Sequence, residues 1–352
     1  MALDVLRGLT IVCMIIVNNG VGPHSYDQLS HSDWNGLTVC DLVFPFFLFI
    51  MGVTTYLSMS KTGFKCDGTS VAKVLRRTVL ILMICWLLHW FDNVCSGRGW
   101  LDFGHLRLTG VLTRIALCYC AVSLLSMWLS LRSMIIAGVL LLVVYGALLL
   151  GFDGYSNSTD NVNTVVDRWL LPEGHLYTKR PVDPEGILAT ISAVAHTIIG
   201  FCCGAIIKSR NTLDAKLVRL FVVGTLLILA SFCLTGIFPL NKRIWSPSYV
   251  LVTCGMAASL LALFSWLIDA KGWRRWFTVF EAYGVNPLFL YVLAEALGVV
   301  AGKTGASHLI YESIAKVIPS PEPASLIYSL LFVAVITIFA IPLYRKKIYI
   351  KI

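Results

Sequence analysis

Hydrophobic residues in this chain run in long blocks, without the alternation of a half-buried strand or the single stripe of a water-soluble helix. Ten blocks can be placed, near residues 5–22, 40–60, 76–93, 108–130, 133–151, 186–207, 217–236, 249–269, 278–300 and 323–344. Each approaches the roughly 20 apolar residues that carry a helix across a bilayer. Backbone polar groups in lipid must be satisfied within the segment, so blocks of this length mean helices. A membrane barrel would show short alternating segments, which are absent. The pattern predicts an all-α membrane protein, a polytopic bundle of about ten transmembrane helices forming a single domain over 1–352. The short gap at 131–132 predicts a tight hairpin of the fourth and fifth helices. Asn286 and Pro287 predict a broken or kinked ninth helix.

Composition agrees: 57% of the residues are hydrophobic and only 13% charged, against about a quarter charged in soluble domains. The net charge of +9 is not gathered in a stripe that would suit nucleic acid. It falls in clusters: Lys61, Lys65, Lys73, Arg76 and Arg77; Lys208, Arg210 and Lys216; Lys271, Arg274 and Arg275; Arg345, Lys346, Lys347 and Lys351. With ten helices these clusters share one face, so that face and both termini are expected to be cytoplasmic. The longest loop on the other face, about 152–185, carries Asp153, Asp160, Asp167, Asp183 and Glu185. Eleven cysteines have no metal-ligand spacing, and most lie inside apolar blocks as small helix- or lipid-facing residues. No metal site is expected. The first residues lack a basic leader and a cleavage site, so the first block is expected to remain as a span.

Polar groups in or at the mouth of a membrane bundle are costly and attract functional hypotheses. The densest set comes first. Asn18 and Asn19 end the first block; His24 and His31 lie in the loop that follows; Trp34, Asn35 and Gly36 come next, and Asp41 opens the second block. Such a set suits acyl transfer. An imidazole can take a proton from an attacking amine or carry the acyl group itself. An asparagine amide can donate to an oxyanion, and an aspartate can fix the imidazole tautomer. Each residue also has a structural alternative: Asp41 as a helix cap, Asn18 and Asn19 as interhelical hydrogen bonders, His31 as an interfacial residue. Trp245 in a later loop reads first as an interfacial anchor. His196 and Glu295 are lone polar residues within blocks and receive no role.

Two segments, LDVLRGLTIVCMIIVNNG (3–20) and HSDWNGLTVCDLVFPFFLFIMG (31–52), resemble the heparan-α-glucosaminide N-acetyltransferase family. Further similar stretches are GVLTRIALCY (110–119), DPEGILATI (183–191), NKRIWSPSYV (241–250) and YRKKIYIKI (344–352). The resemblance is to a compact bacterial form, without the luminal amino-terminal domain and extra span of the animal enzyme. It implies a transmembrane acyltransferase domain in a bacterial inner membrane that takes acetyl-CoA from the cytosol and acetylates an amino sugar outside. It also implies a homodimer in lipid. The family's catalytic histidine matches His31, its first-span asparagine Asn18, and the following aspartate Asp41. For acetyl-CoA, Arg7 could meet the nucleotide and Arg114 a phosphate or pantetheine carbonyl, although Arg114 could equally pair with a buried carboxylate. Trp34, Asn35, Asp183, Glu185 and Asn241 are the expected acceptor contacts. The competing expectations are a sugar permease and a structural role in envelope assembly.

Overall fold

The computed structural model describes residues 1–350, so Lys351 of the last basic cluster lies outside the described residues. Thirteen α-helices form the fold, and no strand occurs among the described residues. They are α1 (Ala2–Asn18), α2 (Val39–Met59), α3 (Gly68–Cys95), α4 (Val111–Trp128), α5 (Leu131–Gly151), α6 (Val162–Leu170) and α7 (Thr190–Lys208). There follow α8 (Leu213–Leu234), α9 (Pro247–Ser265), α10 (Thr278–Val285), α11 (Pro287–Lys303), α12 (Ala306–Ala315) and α13 (Pro321–Arg345). Seven helices are long and apolar enough to cross a membrane, or eight if the bent pair α10–α11 counts as one span. That pair turns by 77° where Asn286 and Pro287 interrupt it, as the sequence predicts. The pyrrolidine ring removes a helical N–H and clashes with the preceding turn.

Burial separates an inner from an outer set. The apolar cores of α2, α7 and α9 are 56–61% buried, whereas those of α5, α8 and α13 are 22–28% buried. Exposed apolar faces such as Ile136, Leu140 and Val143 on α5, or Val222, Leu226 and Leu229 on α8, form the flank that would meet lipid. Inside, small residues let backbones touch. A Cβ on Gly52 would fall within the Thr197 carbonyl, and one on Gly200 within the Phe49 carbonyl, so α2 and α7 meet backbone to backbone. Gly8 and Gly284 bring α1 and α10 together in the same way.

Helix boundaries differ from the hydropathy pattern where polar chemistry intervenes. The first helix stops at Asn18, before Gly20, Gly22 and Pro23, and the seventh starts at Thr190 because 183–186 forms a turn instead. The α4–α5 connection is short, as expected, yet α5 packs mainly on α7 rather than doubling back on α4. Trp245 is not an interfacial anchor. It is wholly buried, packed edge-on against Phe44, His196 and Tyr249, with the Arg114 guanidinium 5.0 Å from its ring centre. Its φ of 52° is an uncommon backbone for a bulky side chain, held by that packing.

The loops gather at two ends. At the end carrying the α1 N-terminus, Arg7 donates to the Gly284 carbonyl (2.9 Å) and Asn286 to the Ile348 carbonyl (2.8 Å). At the opposite end, Trp34 reaches the Tyr155 carbonyl (2.9 Å) and Gly36 N–H the Leu240 carbonyl (2.8 Å). The segment 152–189, with the short α6, lies over this second end.

Candidate active site

The site is built on the first turn of α2. Thr38 is the N-cap, and Asp41 is the third helical residue of a reciprocal capping box. Asp41 Oδ2 accepts from Thr38 N–H (3.3 Å), Thr38 Oγ1–H (3.0 Å) and Ser32 N–H (3.2 Å). Its other oxygen accepts from His31 Nδ1 at 2.8 Å. A carboxylate only accepts, so the imidazole proton is on Nδ1 and Nε2 keeps its lone pair. The helix N-terminus favours the anionic carboxylate as well. Asp41 is fully buried, while the His31 side chain is half exposed, which is the exposure a base needs to meet a partner. The histidine engaged by Asp41 is His31; His24 is exposed in the loop before it.

Pro45, one turn along α2, completes the design. It has no N–H to give the Asp41 carbonyl. The Tyr249 hydroxyl of α9 takes that place at 2.6 Å. His196 Nε2 donates to the Pro45 carbonyl at 2.8 Å, which gives the lone span histidine a structural function. The first turn of α2 is therefore gripped from α7 and α9, and Asp41 cannot drift.

Residues 241–246 close over this pair. Asn241 Oδ1 accepts from Arg243 N–H (2.9 Å) and Ile244 N–H (3.2 Å), while its amide donates to Asn35 Oδ1 at 3.1 Å. The next residue, Lys242, extends its amine to 2.9 Å from His31 Nδ1, 3.3 Å from Nε2 and 3.5 Å from Asp41 Oδ1. The Cys40 thiol lies 3.1 Å from Nδ1. Trp34, Asn35 and Asn241 thus lie in the His31–Asp41 neighbourhood. Lys242 was missed; its only signal was its place within NKRIWSPSYV, because a loop lysine ordinarily reaches water.

Other expected residues stand elsewhere. Asn18 makes no hydrogen bond to His31 or Asp41; its amide donates to Glu295 Oε1 of α11 at 2.7 Å. Asp183 and Glu185 are not open carboxylates for a sugar amine. Arg107 Nη2 bonds both, at 2.6 and 2.9 Å, and Thr109 adds 2.6 Å to Asp183. Burial alone would weaken the Arg107 charge, but the two carboxylates outweigh it and hold the guanidinium more firmly protonated. Arg114 is equally committed. Its guanidinium donates to the carbonyls of Pro184 (2.7 Å) and Gly186 (2.9 Å) and is almost wholly buried, so it fastens the 183–186 turn and presents no face to a phosphate. Its expected buried carboxylate partner is replaced by backbone carbonyls. Beside that turn, Asp167 takes the Ile187 N–H at 2.8 Å. Burial, with Asp183 close by, pushes its carboxyl up to about 6. Asp167 also lines a cavity of about 830 Å³ in the overlying layer, with Tyr177, Lys179 and Arg180.

Arg7 lies where the sequence suggests, on a cavity of about 400 Å³ that opens at the α1 N-terminal end. Arg77 and Tyr119 face it across the opening, stacked with the guanidinium 4.7 Å from the ring centre. Among the described residues Arg77 has no acidic partner. Inward, Phe47, Ile115 and Leu288 lead into a constriction of about 10 Å³ shared with Ile11, Met14 and Tyr291. Arg7, Ile11, Met14 and Asn18 fall on one face of α1, and Leu288, Tyr291 and Glu295 on one face of α11. The Asn18–Glu295 bond therefore sits one turn beyond the constriction, toward the His31 end.

A helical bundle with membrane-length apolar spans, a cation-rimmed vestibule at one end and a His–Asp pair at the other defines a multi-pass membrane protein with a polar cluster at each end. Residues 1–171 match the family model described as heparan-alpha-glucosaminide N-acetyltransferase, catalytic. The chain is 33% identical over 354 residues to the heparan-alpha-glucosaminide N-acetyltransferase of Mus musculus and 32% identical to that of Homo sapiens. These alignments cover 84% and 83% of this chain. Both comparisons point to the heparan-alpha-glucosaminide N-acetyltransferase family as what this chain resembles. The chain spans about half the length of these relatives, 53% and 52%.

Proposed function

We propose that residues 1–352 act as one transmembrane domain that transfers acetyl from cytosolic acetyl-CoA to the amine of a glucosamine-type sugar outside a bacterial inner membrane. The observation that carries this reading is the pairing of a cationic vestibule at one end of the bundle with a buried-carboxylate–imidazole pair at the other. The proposed topology has ten spans, α10–α11 counting as one, with both termini cytoplasmic. The basic clusters at the α1 N-terminal end support it.

The vestibule fits the donor in kind. Arg7 and Arg77 suit phosphate, and the apolar walls beyond them suit a pantetheine arm. The arm would need to cover about half of a roughly 30 Å core, opening the constriction, to bring a thioester to the Asn18–Glu295 level. There Asn18 would offer its second amide N–H. At the outer mouth His31 Nε2 takes the proton of the acceptor amine as its nitrogen bonds to the acetyl carbon. The carbon–sulfur bond then breaks, and the imidazolium returns the proton to the departing sulfur. Asp41 holds the tautomer throughout. Trp34, Asn35 and Asn241 frame the acceptor. Direct attack is favoured because Asp41 supports a base and no acyl-enzyme is required; an acetylated protein trapped without acceptor would overturn it. A homodimer in lipid completes the proposal and is checked by its mass in nanodiscs.

Labelled acetyl-CoA and glucosamine are incubated with purified protein in lipid, beside His31→Ala. The expected result is transfer that falls by about 10²–10⁴-fold in the variant with CoA binding kept. No transfer and no CoA binding in the native protein would overturn the reading. The bent α10–α11 helix favours one competing function, a sugar permease. Uptake of free sugar by vesicles lacking acetyl-CoA would select it.

A further inference from the structure

The donors around Asp41 leave the reaction centre short of a partner for negative charge. Ser32 and Thr38 direct their N–H groups to the carboxylate, and the Asn18 amide faces Glu295. The Tyr249 hydroxyl is committed to the Asp41 carbonyl. Arg243 lies over the Trp34 ring, 6.0 Å from its centre, and reaches the Ser32 carbonyl. The cation that faces the imidazole is Lys242.

Lys242 is 8% exposed, an uncommon setting for lysine. Its backbone is pinned. Asn241 ties the turn to Asn35, Ser246 Oγ receives the Asn241 N–H at 3.1 Å, and Gly36 bonds the Leu240 carbonyl. Holding so long a side chain costs rotamer entropy that an ordinary exposed ion pair does not recover. The ammonium lies 2.9 Å from Nδ1 and 3.3 Å from Nε2; with the Nδ1 proton directed to Asp41 it can donate only to the Nε2 lone pair, which the acceptor amine takes over as the ammonium turns to the carbonyl oxygen. An amine hydrogen-bonded to Nε2 would attack a thioester carbonyl held within reach of the same ammonium.

We propose that Lys242 is a catalytic residue whose ammonium stabilises the oxyanion formed as the amine attacks. This rests on the acetyl-transfer reading above. As the nitrogen–carbon bond forms, the carbonyl electron pair moves to oxygen beside Lys242 and the amine proton passes to His31 Nε2. Collapse re-forms the carbonyl, breaks the carbon–sulfur bond and sends the imidazolium proton to sulfur. Lys242 keeps its own protons throughout. It replaces Asn18 as the principal oxyanion donor, and a charged donor is about twice as strong as a neutral one.

The test compares native protein, Lys242→Met, Lys242→Arg and the Lys242→Met/His31→Ala double variant in lipid, with glucosamine and labelled acetyl-CoA. Removing one oxyanion donor typically costs about 10²–10³ in kcat. Lys242→Met is expected to lose that much in kcat, with acceptor KM and CoA affinity within about threefold of native. Lys242→Arg is expected to recover at least tenfold of the loss. The double variant is expected to be no worse than His31→Ala alone, because both act in one step. A native protein that transfers acetyl and a Lys242→Met variant within threefold of its kcat would overturn the role of Lys242 alone. Loss of CoA binding in Lys242→Met, without recovery in Lys242→Arg, would overturn it as well. A native protein that transfers nothing would overturn the underlying reading, and this proposal with it.

Discussion

Asp41→Asn changes one atom and disturbs five contacts. The carboxylate now accepts from His31, Ser32 and twice from Thr38, and it faces Lys242 at 3.5 Å. An amide has one acceptor and one donor end. If its oxygen faces Ser32 and Thr38, its NH₂ points at His31 and Lys242. The imidazole must then accept on Nδ1 and carry its proton on Nε2, where a base needs a lone pair. If the amide is reversed, two donors confront Ser32 and Thr38 and the capping box opens. The first orientation preserves more bonds, so the fold should hold with a loss of about 1 kcal/mol, typical of a weakened N-cap. The reaction should suffer far more. In serine-protease triads the equivalent change costs about 10⁴ in kcat, close to 5.5 kcal/mol of barrier; a solvent-accessible imidazole that can flip should lose about 10³. The assay is acetyl transfer in lipid over a range of acceptor concentrations, paired with thermal unfolding in detergent to show that the variant is folded. A folded Asp41→Asn protein within tenfold of native kcat would refute the assignment of the pair as base and orienting acid.

Three further outcomes are expected. Arg107→Met should leave Asp183 and Glu185 buried without their partner and destabilise the layer by about 3–5 kcal/mol, read as early proteolysis within 152–189. Asp167 binds its proton more tightly in the fold than in the unfolded chain, with burial raising it to about 6. Its contribution is therefore full below about pH 4 and lost as pH climbs to about 6, amounting to about 3 kcal/mol. Asp167→Asn should flatten that part of the stability–pH curve and stabilise the protein at pH 7 and above; an unchanged slope between pH 4 and 6 would contradict it. Gly200→Leu should drive α2 from α7 at the Phe49 carbonyl, lowering stability by several kcal/mol and abolishing transfer, whereas Gly151→Leu, at a position with open space, should melt like the native protein.

The apolar blocks marked the long helices but not the short α6 and α12, and the polar cluster between the first two blocks brought forward His31 and Asp41, with the family resemblance choosing His31 over His24. Ten residues separate histidine and aspartate, and the helix cap that joins them is itself a local motif. Packing partners were less legible. A block of leucine and valine reports its contact with lipid or core, not which helix it meets, so the lean of α5 onto α7 could not be read. Loop residues misled for another reason. Lys242 and Trp245 resemble solvent-facing and interfacial groups until a turn 211 residues from His31 folds over it. Asp183 and Glu185 looked available because Arg107, 76 and 78 residues away, left no local sign that it would reach both.

The constriction beyond the Arg7 vestibule bears on the energy of the whole membrane. If donor and acceptor meet from opposite sides as proposed, the protein risks becoming a leak. A continuous file of water through the bundle would carry protons by hopping and drain the proton-motive force. The narrowing at Ile11, Met14, Ile115 and Tyr291 holds about 10 Å³, the threshold at which a single water of about 10–15 Å³ can enter. Its walls are chiefly apolar, so such a water would find few partners. If the donor passes this way as proposed, the ligand that opens the narrowing must also fill it, so that no file of water replaces it.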